Sequence, residues 1–141
     1  MYQKDYILRM IEMFGEMLAG IFGLLRKKRY KEASQAIENT YTELLRKNAS
    51  EILKIDASEL TEVLNKNFGF SQQHLEVVAG LMYAEAELNF RQKNFSESKS
   101  LYRKSLTIFE YLDREQKIYS VERQNQMSDI KKRITQTSHK E

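Results

Sequence analysis

Acid–base or metal chemistry in this chain would have to be built from two histidines, His74 and His139, and 20 Asp and Glu side chains. Neither histidine has a partner at the spacing of a His-Glu-x-x-His motif, which sets two ligands on one helix face. His74 falls in the first turn of an expected helix and His139 in the tail, and both read as surface residues. Glu12 and Glu16 share one exposed helix face. Glu85 and Glu87 point in different directions, so both pairs read as solvated carboxylates rather than paired catalytic acids. The chain has no cysteine, which excludes thiol nucleophiles, disulfides and zinc-thiolate sites. It has no glycine-rich phosphate loop and no calcium-loop spacing. These residues predict a non-enzyme with no catalytic residues, no metal ligands and no cofactor.

Anion contact is the other chemistry the residues offer. Arg26-Lys27-Lys28-Arg29-Tyr30-Lys31 places five cations within six residues, and such a run can neutralise phosphates. The candidate contacts are Arg26, Lys27, Lys28, Arg29 and Lys31. Tyr30 is expected to be buried and so withdrawn from base stacking. Lys131-Lys132-Arg133 is a second basic spot. The first run is short, and a formal net charge of +3 does not by itself call for nucleic acid or an anionic surface. Nucleic acid is therefore disfavoured as a partner.

Helices must position these groups. The 141 residues include no proline and only five glycines, and strong helix formers run throughout, which argues an all-α domain of roughly five to six helices. The first helix is expected over residues 2 to about 27. Ile7, Ile11, Phe14, Leu18, Ile21 and Leu25 form one apolar stripe; Tyr6, Met10, Met13, Met17 and Leu24 form a second beside it. Asp5, Arg9, Glu12 and Glu16 remain on the polar side. Glu12 and Glu16 interrupt the apolar run, so it reads neither as an export signal nor as a bilayer span. With the lack of cysteine, this fits a cytoplasmic location. Gly15, Ala19 and Gly23 recur every fourth residue, forming a shallow groove for close backbone approach. Its occupant is either a crossing helix of the same chain or, in self-association, a second copy.

A second helix is expected from Tyr30 to Lys47, with Ala33, Ala36, Ile37, Tyr41, Leu44 and Leu45 inward. Residues 48–70 are less regular: a short turn through Ile55, then a short helix capped by Asp56 or Ser58. Gly69 ends that helix, and Ser71 caps a long one. A final helix is expected from about Arg114 to Ile134 on a thin stripe of Ile118, Val121, Met127, Ile130 and Ile134. Residues 1–134 then form one domain and 135–141 a disordered tail.

The stretch from Leu81 to Leu112 organises the rest. It reads as two helices joined at Lys93-Asn94-Phe95, with Ala86 small at the crossing and Phe95 plugging the turn. Met17 to Leu45 repeats the pattern: aligning Tyr30 with Phe95, an offset of 65 residues, matches Arg26 with Arg91, Lys28 with Lys93, Glu32 with Glu97 and Thr40 with Ser105. The pattern resembles tetratricopeptide hairpins, although Glu85 stands where such repeats usually carry leucine. The opening Asp5-Tyr6-Ile7-Leu8-Arg9-Met10-Ile11-Glu12, with Leu101-Tyr102-Arg103-Lys104-Ser105-Leu106, resembles a family of small uncharacterised bacterial proteins common in Firmicutes. That resemblance covers residues 2 to about 112, implies compact tetratricopeptide-like proteins and carries no activity.

A binding module is the function these features predict: an adaptor or scaffold for an unknown protein or peptide, since stacked helical hairpins leave a concave surface. Tyr83, Asn89, Tyr102, Arg103 and Tyr111 are the candidate groove residues. The alternatives are a structural or regulatory homo-oligomer, such as a homodimer through Gly15, Ala19 and Gly23, and anion binding through residues 26–31. Sequence leaves open whether residues 48–70 fill the groove.

Overall fold

The computed structural model describes residues 2–116 and 119–140, with the side chains of residues 8–116 and 119–139. Ile118 and the side chains of Asp5, Tyr6 and Ile7 lie outside the described residues. The fold is all-α: α1 (Tyr2–Arg26), α2 (Tyr30–Leu45), a 3-10 turn (Arg46–Asn48) running into α3 (Ala49–Leu53), α4 (Ala57–Lys66), α5 (Gln72–Arg91), α6 (Phe95–Glu115) and α7 (Val121–Lys140). Two antiparallel, tetratricopeptide-like hairpins, α1–α2 and α5–α6, form its frame.

The turns of the two hairpins superpose bond for bond at the offset of 65. In the first, Lys28 N donates to Leu25 O at 3.1 Å and Arg29 N to Leu24 O at 2.9 Å; in the second, Lys93 N donates to Phe90 O at 3.1 Å and Asn94 N to Asn89 O at 2.8 Å. This is the Schellman closure, in which a left-handed residue lets two amides reach back to the last carbonyls. The left-handed residue is a lysine both times, with φ 61° at Lys28 and 67° at Lys93. A side chain at that conformation costs about 1 kcal/mol from Cβ–carbonyl crowding. Lys93→Gly is expected to stabilise the protein by roughly 0.5 kcal/mol, the relief being partly offset by the freer unfolded chain. Lys93→Val is expected to destabilise it by about 1 kcal/mol or more. Urea unfolding midpoints check both.

α5 is the central helix. Leu75, Val78, Leu81, Met82, Ala84, Ala86 and Leu88 are buried on several sides of it, as expected of a helix surrounded by others. Its close seam with α6 is made by small residues. Ser98 Oγ donates to Ala86 O at 3.1 Å and Ser105 Oγ to Ala79 O at 2.7 Å. Ser98 and Ser105 are fully buried, and Ala33 and Thr40 take the equivalent places in the first hairpin. Ser71 caps α5 in a box with His74: the Ser71 hydroxyl accepts from His74 N, and Ser71 N donates to His74 Nδ1. Half-buried His74 is thus a structural cap. Gly69 ends α4 with φ +64°. Asp56 takes the N-cap position of α4 without a side-chain capping bond.

Residues 48–70 pack on the second helix of each hairpin. α3 packs on α2 and α4 on α6, and Lys104 Nζ fastens the end of α3 by donating to Leu53 O at 2.8 Å.

The last helix differs from expectation at both ends. α6 continues to Glu115, and α7 begins at Val121 rather than near Arg114. α7 then runs to Lys140, so the expected disordered tail from residue 135 is helical as far as it is described. The reason is burial: Thr137 follows Ile130 and Ile134 on the same helix face and is itself buried. Among the described residues, no helix is long and apolar enough to cross a membrane.

Candidate functional site: a cleft between the first and last helices

Three helices run side by side in the same direction. Leu18 meets Gly80, Phe22 meets Tyr83, and Arg91 Nη1 donates to Leu25 O at 3.0 Å, so α1 and α5 ascend together. Glu76 pairs with Arg123, Tyr83 with Asp129 and Glu87 with Arg133, so α7 ascends with α5 as well. α7 packs mainly on α6 and reaches α5 through these side chains. α1 and α7 therefore stand as two walls over α5.

The lower half of the gap is an open cleft of about 280 Å³. Glu76, Val77 and Gly80 of α5 form its floor; Ile11, Gly15, Leu18, Ala19 and Phe22 form the α1 wall; Ser120, Glu122, Arg123 and Gln126 form the α7 side. The small-residue stripe on α1 does not seat a crossing helix of this chain. A Cβ built at Gly15 meets nothing within 4 Å, and one at Gly23 meets only the end of the Arg26 side chain at 3.8 Å. The tight approach is at Gly80, where a Cβ would lie 3.1 Å from Leu18 Cδ1. Gly15→Ala is accordingly expected to stabilise the fold by roughly 0.5–1 kcal/mol through helix propensity alone. Gly80→Leu is expected to cost about 1–3 kcal/mol by overpacking. Thermal unfolding of the two variants tests the contrast.

Above the cleft a polar network ties α7 to α5 and α6. The Tyr83 hydroxyl donates to Asp129 Oδ2 at 2.6 Å, and the Tyr102 hydroxyl donates to Glu87 Oε2. Arg133 Nε donates to the same Glu87 oxygen at 3.2 Å, and its guanidinium lies 4.1 Å from the centroid of the Phe90 ring. Burial, then the Asp129 hydrogen bond, pushes the Tyr83 phenol well above its ordinary range. Burial and the Glu87 carboxylate do the same to Tyr102. Burial opposes the Arg133 charge, but Glu87, Tyr102 and Asp129 outweigh it and raise its pKa. Both phenols thus stay protonated donors, and the network is a clamp holding α7 to α5 and α6.

Arg123 anchors the start of α7. Its Nη1 donates to Gln116 Oε1 at 2.7 Å, its guanidinium lies 3.5 Å from Asp113 and 3.8 Å from Glu76, and its backbone N donates to Ser120 Oγ.

The five expected groove residues do not share a surface. Tyr102 is fully buried, so it is no contact residue. Tyr83 is half-buried between Phe22 and Tyr102 and borders the cleft through Phe22. Tyr111 accepts from Asn65 on the α4 side. Arg103 lies by Asp56 and Ala57 at the start of α4. Asn89 donates to Glu85 O and lines a separate hollow beside α2 and α3. Tyr102 is buried against α5, beside the Tyr83 ring and bonded to Glu87, while Tyr83 is flanked by Phe22 of α1 and bonded to Asp129 of α7.

Glu85 and Glu87, expected as solvated, are both held by other helices. The Tyr41 hydroxyl donates to Glu85 Oε1 at 2.8 Å across α2 and α5, which explains a carboxylate where the repeat pattern favours leucine. Burial raises the Glu85 pKa above its ordinary 4.5; Glu97 adds to the rise, while Tyr41 and Lys104 oppose it. The folded state then binds this proton more tightly than the unfolded chain. Its contribution to stability is present at low pH and is lost as pH rises from 4.5 through the raised value. Burial lowers the His74 pKa below 6.5, giving the opposite slope as pH falls. Glu85→Gln is expected to remove the first slope and keep the second, which urea midpoints at several pH values would show.

The basic cluster stays exposed at Arg26, Lys27, Lys28, Arg29 and Lys31, while half-buried Tyr30 packs against the core. Arg29 pairs with Glu32 at 3.9 Å. Of the second basic spot, Lys131 and Lys132 are exposed, but Arg133 belongs to the Glu87 network. Among the described residues, no group of three or more His, Asp or Glu side chains is placed to hold a metal ion.

No family model, no curated protein and no solved structure matches this chain.

Proposed function

We propose that the protein is a non-enzymatic protein–protein interaction module, an adaptor or scaffold, and that it receives a segment of its partner in the cleft between α1 and α7. The observation carrying this reading is the cleft: an open groove with an apolar α1 wall and a polar α7 wall, where Gly15 and Ala19 let a foreign backbone approach closely. Exposed Leu8, Tyr119 and Val121 lie at its N-terminal end, one turn before Ile11 and beside Ser120 and Glu122. Grooves of this kind hold peptides because apolar anchors leave water while the small residues avoid a clash. A photo-crosslinking residue at Ala19 is expected to yield protein adducts in host lysate, and Gly15→Leu in the same protein is expected to abolish them. The same residue at Glu51, on the far side, is expected to yield none. Equal adducts at both positions, or adducts that survive Gly15→Leu, would overturn the reading.

Self-association through α1 is the second reading, favoured by exposed Leu8 and Met13 on that helix. It predicts a dimer in sedimentation equilibrium that Ala19→Trp converts to a folded monomer; a monomer at all concentrations removes it.

A further inference from the structure

Resting on the cleft as the binding face, we infer that its occupant is an amphipathic helix with an apolar stripe flanked by lysine or arginine. The charge around the cleft carries the inference. Glu76 and Glu122 line it. Glu12 and Glu16 follow Ile11 and Gly15 in α1 and are exposed, as is Arg9 on the same polar side, so this edge carries two carboxylates to one guanidinium. Arg123 is the cation among the lining residues and is engaged by Asp113, Glu76 and Gln116; Glu76 is thereby paired as well, and Glu122 is the lining carboxylate outside that pairing. An entering segment therefore meets apolar residues of α1 and α5 flanked by Glu122 on the α7 side and by Glu12 and Glu16 beyond the α1 wall, with Glu76 in the floor paired to Arg123. Cationic flanks would pair with those flanking carboxylates; acidic flanks would be repelled.

The shape favours a helix over an extended strand. The cleft is walled by helices, and none of its walls offers a free sheet edge for backbone pairing. Its small-residue wall suits the smooth cylinder of a helix, with anchors at successive turns. The walls α1 and α7 are parallel, so a helix laid between them packs against both, as a third helix completes a bundle.

The test uses synthetic peptides as probes with the full-length chain. One carries a leucine stripe at helical spacing with lysine flanks. A second has the same stripe with glutamate flanks. A third carries lysine flanks and a central proline that breaks the helix. Fluorescence anisotropy is expected to show binding of the first alone, at least about tenfold tighter than the others and weakening as salt rises. Gly15→Leu is expected to abolish that binding by filling the cleft and to keep the helical spectrum and Tm of the parent, since a Cβ there meets nothing within 4 Å. The combined Glu12→Gln, Glu16→Gln and Glu122→Gln variant is expected to weaken it about tenfold or more while leaving the helical spectrum unchanged. Equal affinity for the lysine- and glutamate-flanked peptides would overturn the inference, as would equal affinity for the proline peptide or indifference to Gly15→Leu. Crosslinking at Ala19 with no lysine-peptide binding would overturn the inference and spare the cleft; loss of both would remove the cleft itself. A dimer abolished by Gly15→Leu would make a second copy the occupant and overturn the inference.

Discussion

Arg133→Met is expected to destabilise the protein by about 2–3 kcal/mol, because it strands a buried carboxylate. Glu87 has a side chain only 8% exposed, and its partners are the Tyr102 hydroxyl and Arg133 Nε. Methionine keeps an apolar stem over the Phe90 ring, so the loss is chiefly the charge. Breaking a fully buried pair costs about 3–5 kcal/mol. The 25% exposure of Arg133 and the retained Tyr102 bond place this case below that range. For a domain of this size the drop in Tm is roughly 5–10 °C. The double variant Glu87→Gln/Arg133→Met is expected to recover more than half of the loss, since a neutral amide tolerates burial better than a stranded carboxylate. A double variant as unstable as the single one would show that stranded charge is not the cause. Thermal and urea unfolding of the three proteins decide it.

The second arginine of α7 should behave in the opposite way. Arg123 is 2% exposed, but Asp113 and Glu76 are 40% and 48% exposed. Those carboxylates can return to water when the guanidinium goes. Arg123→Met should therefore cost less than about 1 kcal/mol, because the lost pairing is offset by relief from burying the charge. Arg123→Ala removes the buried stem as well and leaves a hole, and should cost about 2–3 kcal/mol. Hydrogen exchange would show the loss first in the early turns of α7, which Arg123 ties to Gln116 and Asp113. Equal destabilisation by methionine and alanine would mean that pairing, not packing, holds the helix start.

The hairpin turns were legible because their causes are local. A Schellman turn needs one left-handed residue and two backward amide bonds, and all its atoms lie within about six residues. That is why aligning Tyr30 with Phe95 in the sequence suffices to make Lys28 and Lys93 equivalent. The Ser71 cap and the Gly69 stop were legible for the same reason. The position of His74 in the first turn is legible in the same way, but its bond to Ser71 N is not, because that depends on side-chain geometry that spacing does not reveal.

The candidate site was much less legible. Tyr83 and Tyr102 were chosen as groove residues from their positions on α5 and α6. Their exposure, however, is set by neighbours from other helices: Tyr102 lies against Tyr83 and Glu87, and Tyr83 against Phe22, with Asp129 of α7, 46 residues along the chain, on its hydroxyl. Glu87 reads as solvated because carboxylates usually are; the Tyr102 hydroxyl and Arg133, the latter 46 residues away, make its burial tolerable. The Gly15–Ala19–Gly23 stripe signalled close approach, but periodicity cannot say whether anything approaches. The structure puts the close contact at Gly80 and leaves Gly15 facing open space.

By itself the sequence determined an all-helical chain, the position of its two hairpins and their matching turns. Those properties follow from helix propensity, apolar periodicity and short-range hydrogen bonds. The tertiary structure alone decided where α7 docks, which carboxylates are buried and that a cleft remains between α1 and α7. The physical reason is that burial belongs to pairs of distant surfaces. A helix face has a fixed composition, but whether it meets solvent, a neighbouring helix or an empty groove depends on how the other helices pack.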